Sequence, residues 1–155
     1  MLKNEVSERP DFVKWFSELN KDSGAVAGGK GANLSEIFNL KISVPPGFVV
    51  TAQAYDYFIK KARLDEKIKN ILLQIDYENT QQLDESTKQI RALIIDSEFP
   101  AEMKEEIIEA YENLSLTDYD VKESGALDIL EAVQEPVFVA VRSSATTEDL
   151  AEASF

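Results

Sequence analysis

Two short stretches of the chain gather residue types suited to anions. In Gly28-Gly29-Lys30-Gly31, the absence of Cβ atoms lets backbone N–H groups approach a ligand, and the lysine adds a mobile cation. Helical periodicity begins at Ala32, so these glycines would open a helix, where the free N–H groups and the dipole favour negative charge. In Arg142-Ser143-Ser144, a guanidinium with fixed donors matched to phosphate or carboxylate is followed by two hydroxyls. The apolar run Pro136-Val-Phe-Val-Ala-Val141 puts this second stretch at the carboxyl end of an expected strand, where ligands gather in α/β sheets. Two cations beside small polar residues suggest one anion-binding cleft shared by Lys30 and Arg142. Each stretch also has a plainer reading. The first would serve as a flexible glycine turn with a solvated lysine, and it lacks the Gly-x-x-x-x-Gly-Lys-Ser/Thr spacing of a P-loop. The second would serve as an arginine tied to a neighbouring carboxylate, with serines capping a turn.

A third stretch, Thr147-Glu148-Asp149 with Glu152, offers adjacent carboxylates of the kind that bind Mg²⁺, but such a run is more often a helix start or a solvated turn. Composition narrows the chemistry further. The chain has no cysteine and no histidine, which removes thiolate nucleophiles, disulfides, zinc–thiolate sites, the commonest general base and any phosphohistidine carrier. Lys, Arg, carboxylates, hydroxyls and backbone are what remain. The net charge is −13, and residues 101–155 carry three bases against fourteen acids. A nucleic-acid partner needs a basic stripe, and an anionic membrane surface needs a basic patch, so neither is expected. No apolar stretch is long enough to cross a bilayer, and Met1–Pro10 does not read as a signal peptide, which leaves the cytoplasm as the default location.

The elements that must position these residues read as an α+β domain of several helices around a small mixed sheet, with 155 residues forming one domain with a core. Val13-Lys14-Trp15-Phe16 reads as a short strand. The helix from Ala32 shows Leu34, Ile37 and Phe38 on one face, and Val44-Pro45-Pro46-Gly47 must lie beyond its end. Phe48-Val49-Val50 reads as a short buried strand. Thr51 is a good N-cap for a helix presenting Tyr55, Phe58, Ile59 and Ala62. A further helix carries Leu64, Ile68, Ile71, Leu72 and Ile75, with Asp65 and Glu66 in its first turn. Thr80 is the expected cap of the next, whose face is Leu83, Thr87, Ile90 and Ile94. Pro100 opens another, with Met103, Ile107, Ala110, Tyr111 and Leu114 aligned. Residues 115–135 are acidic and weakly patterned, with a short helix expected near Ala126–Val133. The run up to Arg142 is apolar on both faces, which predicts a central strand covered on both sides. The aromatics Tyr55, Phe58, Tyr111 and Phe138 fall at core spacing.

Three ordered blocks, Ala27-Gly-Gly-Lys-Gly-Ala-Asn-Leu34, Val44-Pro-Pro-Gly-Phe-Val-Val-Thr51 and Ala140-Val-Arg-Ser-Ser-Ala-Thr-Thr-Glu-Asp-Leu150, resemble the nucleotide-binding domain of the phosphoenolpyruvate synthase and pyruvate phosphate dikinase family. Ala153-Ser-Phe155 is similar to the start of the next block, and a proline is common in the family where this chain has Ala151. The resemblance implies an ATP-grasp-like N-terminal subdomain. It implies that Lys30 and Arg142 hold ATP phosphates, that Gly28, Gly29 and Gly31 shape the loop, and that Ser143 and Ser144 lie beside the phosphate site. It implies ATP as ligand and Mg²⁺ held mainly by residues outside this chain. The remaining domains of a larger parent enzyme would be its partners, including a phosphohistidine carrier and a barrel that passes phosphate to pyruvate. On this reading residues 1–155 are an incomplete nucleotide-binding domain, inactive alone. Pyruvate phosphate dikinase, a rifamycin phosphotransferase and a stand-alone non-enzymatic interaction module are the alternatives.

Overall fold

The computed structural model describes residues 9–117 and 138–146. Strand β1 (Val13–Trp15) pairs antiparallel with β2 (Phe48–Val50), with Val13 opposite Val50 and Trp15 opposite Phe48. That register stacks the Trp15 and Phe48 rings edge to face, their centroids 5.6 Å apart, a favourable aromatic geometry. A 3-10 turn (Phe16–Glu18) and helix α1 (Gly24–Asn39) lie between the two strands. The helices α2 (Ala52–Lys61), α3 (Asp65–Leu72), α4 (Thr80–Ile95) and α5 (Ala101–Thr117) follow β2.

The expected α+β character holds in its coarse form: among the described residues, five helices accompany a two-stranded antiparallel sheet. The expected central strand is corrected within its described part. Phe138–Val141 belongs to no strand, and Phe138, Val139 and Val141 are exposed. A central strand needs a ladder partner on both edges and apolar cover on both faces. In the described sheet the two strands pair with each other, and the buried cluster forms elsewhere. Phe138 is therefore not core, and Tyr55 on α2 is not either. The short helix expected near Ala126–Val133 lies outside the described residues.

The core is made where β1 meets the helices. Phe12, Ala54, Phe58, Leu64 and Met103 form one buried cluster, with Ile59, Ala62, Ile68 and Ile107 packed against it. Met103, Ala110 and Leu114 are the buried face of α5, as their spacing predicts. Chain entry into this core is fixed by polar contacts. Both the Phe12 and Val13 N–H groups donate to Glu106 Oε1, at 2.9 and 3.0 Å, so a carboxylate on α5 closes the donors at the start of β1. The Thr51 hydroxyl accepts from the Ala54 N–H and donates to the Asp11 carbonyl at 2.8 Å. The expected cap of α2 is thus present, and the same side chain ties α2 to the segment before β1.

The turn between α2 and α3 explains why Leu64 is buried. The Leu64 N–H donates to the Ile59 carbonyl and the Arg63 N–H to the Lys60 carbonyl, with Arg63 in the left-handed region at φ 53°. This is a Schellman closure, whose following apolar residue characteristically packs back onto the helix. At α4 the cap is Asn79, one residue before the expected Thr80; its side chain accepts from the Gln82 N–H at 3.1 Å. Of the apolar face expected for α4, Ile90 and Ile94 are half-buried and Leu83 and Thr87 are exposed. Leu72 on α3 is also exposed, and β2 is half-buried with Val50 open rather than buried throughout.

Candidate anion-binding junction

The glycine block lies within a helix that is broken at one residue. Helix α1 begins at Gly24, eight residues before the expected start at Ala32, and Gly28 interrupts it with φ 68° and ψ 169°. Such a backbone angle is strained for any residue with a Cβ. The break leaves a first turn, Gly24–Ala27, and a second helical segment that starts at Gly29 rather than at Ala32. Its opening N–H groups are therefore those of Gly29, Lys30 and Gly31, the residues singled out from the sequence.

The second stretch comes to this opening. The Gly29 N–H donates to the Ala145 carbonyl at 3.1 Å, and the Gly31 N–H donates to Ser144 Oγ at 3.0 Å. Residues more than a hundred positions apart in the chain thus meet at one helix start. The glycines allow the approach. A Cβ on Gly28 would sit 2.3 Å from Ser144 Oγ and 2.8 Å from the Ser144 carbonyl carbon, distances no Cβ tolerates. A Cβ on Gly31 would lie 3.0 Å from the Ala27 Cβ and 3.3 Å from Val49 Cγ2. Gly31 therefore packs against both the preceding turn and strand β2.

Helix α1 is seated by small residues. Ala27, Gly28, Gly31, Ala32 and Ser35 are its buried positions, and Ser35 Oγ donates to the Gly31 carbonyl at 2.8 Å. Leu34 and Phe38 from the expected apolar face are half-buried, and Ile37 is exposed. At the far end of the helix, the Asn39 amide donates to the Phe16 and Leu19 carbonyls, at 3.0 and 2.7 Å. Next to it, the Phe16 N–H donates to the Gly47 carbonyl at 3.0 Å. A Cβ on Gly47 would fall 2.4 Å from the Phe16 ring, so the segment before β2 presses directly on the 3-10 turn.

Among the expected site residues, Gly28, Gly29, Gly31 and Ser144 make the junction directly. Lys30 is set between two of its donors and is half-buried; Arg142 and Ser143 precede Ser144 in an exposed segment outside any helix or strand. The helix start that carries Lys30 and the segment that carries Arg142 therefore meet. The carboxylate stretch Thr147, Glu148, Asp149 and Glu152 lies outside the described residues. Sequence reasoning missed Ala145, whose contribution is a backbone carbonyl and leaves no mark on residue type. It also missed Ser35, although small residues at Ala27, Gly31 and Ser35 recur at a spacing of four, the signal of a close-packed helix face.

Charge elsewhere is organised differently. Lys61 on α2 and Tyr57 both donate to Glu102 on α5. The Lys61 ammonium, then the Tyr57 hydroxyl, hold the Glu102 carboxyl down to about 2, from an ordinary 4.5. An open groove beside this pair is lined by Pro10, Gln53, Asp56, Tyr57, Lys60 and Lys61 and shares no residue with the junction. Among the described residues no group of three or more acids could hold a metal ion, and no helix is long and apolar enough to cross a membrane.

Comparison with known proteins covers most of the chain. A family model described as pyruvate phosphate dikinase, AMP/ATP-binding domain, matches residues 24–155. A probable phosphoenolpyruvate synthase from Methanocaldococcus jannaschii is 42% identical over 155 residues, covering 100% of this chain and 12% of the relative. One from Staphylothermus marinus is 44% identical over 150 residues, covering 97% of this chain and 16% of the relative. The phosphoenolpyruvate synthase of Pyrococcus furiosus is 38% identical over 176 aligned positions, covering 93% of this chain and 20% of the relative. The chain thus spans no more than a fifth of the length of these relatives. With the glycine break and the Arg142 segment both inside the matched region, the chain belongs to the pyruvate phosphate dikinase AMP/ATP-binding domain family.

Proposed function

We propose that this chain is the ATP-binding portion of a phosphoenolpyruvate synthase, in which Lys30 and Arg142 hold the nucleotide's phosphates. The single observation that carries the site is the hydrogen bond from the Gly31 N–H to Ser144 Oγ, which joins the lysine-bearing helix start to the arginine-bearing segment. The names of the three relatives support the choice of phosphoenolpyruvate synthase over its dikinase and rifamycin-modifying kin. In the parent enzyme ATP, pyruvate and water would become AMP, phosphoenolpyruvate and phosphate.

Within that reaction the chain's own residues bind and orient. The Lys30 ammonium is a mobile point charge for phosphate oxygens, and the Arg142 guanidinium offers a planar fork. The helix start between them adds positive potential where the phosphates would lie. Gly28, Gly29 and Gly31 shape the turn, and Ser143 and Ser144 flank it. The ATP-grasp-like closure of a second subdomain over the nucleotide, the phosphohistidine carrier and the pyruvate site belong to the remaining domains of the parent. Mg²⁺ would be held mainly by residues outside this chain and would neutralise phosphate charge there. With no histidine, the chain has no residue to carry phosphate in the manner of the parent and is expected to show no dikinase turnover.

Exposed charge-assisted contacts are weakened by solvent and salt. Two of them support dissociation constants on the order of millimolar. An ATP titration of the chain followed by NMR, at low and moderate salt, is expected to show weak binding that Lys30→Ala and Arg142→Ala each reduce. Tight binding that survives both substitutions would place the nucleotide elsewhere.

A further inference from the structure

From the close approach of Gly28 to Ser144 we infer that these two residues form a lock, which seats the Arg142 segment on the helix start and so positions Arg142 relative to Lys30. The inference rests on the phosphate-binding reading for its functional half and on geometry alone for its structural half. Ser144 Oγ accepts from the Gly31 N–H at 3.0 Å, and the Ala145 carbonyl accepts from the Gly29 N–H at 3.1 Å. Two donors at the opening of the second helical segment are therefore satisfied from within the chain. A helix start with free N–H groups is a ready anion cradle. Here the protein's own backbone and hydroxyl occupy part of that cradle, so phosphate recognition falls on the Lys30 and Arg142 side chains. The glycines serve chiefly as a docking surface.

The steric evidence is independent of the hydrogen bonds. Gly28 has the backbone angle of a helix break, φ 68°, and the space its Cβ would fill is taken by the Ser144 side chain and backbone. The break and the docking thus need the same glycine. Ser144 acts through the placement of its segment, two residues from the guanidinium, and is a positioning residue.

The test uses the 155-residue chain as Ser144→Ala, Gly28→Ala and Gly24→Ala. Gly24 is the control, because a Cβ there meets nothing within 4 Å. Amide hydrogen exchange reads the lock without any ligand. Ser144→Ala and Gly28→Ala are expected to speed exchange of the Gly31 N–H about tenfold, the loss of one hydrogen bond. The amides of Phe58 and Leu64 should keep their protection, which shows that the fold survives, and Gly24→Ala should change neither. ATP titration of the same variants reads the positioning. Both lock variants should weaken ATP by a similar factor, although Gly28 has no side chain to offer a phosphate.

Unchanged Gly31 exchange in Ser144→Ala would overturn the lock. Faster exchange with unaltered ATP affinity would overturn the positioning role. If the unsubstituted chain gives no ATP response at all, the phosphate-binding reading fails, and the exchange data still decide the lock. If Gly28→Ala loses protection throughout, Ser144→Ala, which only removes atoms, carries the decision.

Discussion

Around Phe12 the chain is held together by apolar burial, whereas around Gly28 it is held by two hydrogen bonds and a missing Cβ. The first region draws Phe12 from the approach to β1, Ala54 and Phe58 from α2, Leu64 from the turn after α2 and Met103 from α5 into one cluster. Its polar contacts, such as Glu106 on the Phe12 and Val13 N–H groups, fix how strands enter that cluster. The second region has small residues on one side, and on the other a segment in which Phe138, Val139 and Val141 remain exposed. Burial there contributes little, so position depends on the Gly31–Ser144 and Gly29–Ala145 contacts. The contrast suggests a division of labour. Non-directional burial makes a scaffold that tolerates small changes, while short directional contacts set the relation between two cation-bearing segments.

The largest effect expected from breaking this division lies in the scaffold. Phe12 is fully buried, and its ring also lies 4.9 Å from that of Tyr57 and beneath the Arg9 guanidinium. Phe12→Ala should cost about 3–5 kcal/mol of unfolding free energy by urea denaturation, since a cavity adds to the lost transfer energy. Ser144→Ala should change the same measurement by less than about 1.5 kcal/mol, the net contribution of one hydrogen bond. Equal losses in the two variants would erase the distinction between the regions.

A smaller effect is expected from acid. The Glu102 carboxyl sits at about 2 in the folded chain against an ordinary 4.5, because Lys61 and Tyr57 hydrogen-bond its charged form. A lowered folded value means that the contribution is complete above about 4.5 and is lost as pH falls from there toward 2. Lys61 is shifted upward by the same contact, so its share persists until pH rises beyond its ordinary 10.5. Urea midpoints at pH 6 and pH 3 should therefore move apart less in Glu102→Gln than in the unsubstituted chain. Other carboxylates will add to the acid dependence of both, so the difference between the two proteins is the quantity to read. An identical drop in both would show that the α2–α5 ion pair contributes nothing to the scaffold.

Much of the scaffold was legible in residue order. Thr51 before an amphipathic run, Pro100 before Met103, Ala110 and Leu114, and the proline pair before Phe48 all encode local boundaries, and the structure follows them. The misses share a cause. Tyr55 and Phe138 have core-like chemistry, but exposure is decided by what the rest of the chain places opposite them, and periodicity cannot report that. Apolar periodicity in α1 points to Leu34, Ile37 and Phe38, yet the helix buries Ala27, Gly31, Ala32 and Ser35, because a close-packed face needs small side chains rather than apolar bulk. At the site, the residue types of Gly28–Gly31 and Arg142–Ser144 advertise anion chemistry and suggest one shared cleft. The contacts that join them do not show in the sequence, since they run through N–H groups, a carbonyl and one hydroxyl.

The most direct test of the account is to ask which of its regions responds to phosphate. Adding ATP to the isotopically labelled chain should move the amide signals of Gly29, Lys30 and Gly31, and those of Arg142 to Ala145. The signals of Ala54, Phe58, Leu64 and Met103 should stay in place. Shifts centred instead on the groove of Gln53, Asp56, Lys60 and Lys61, with the junction signals unmoved, would contradict it.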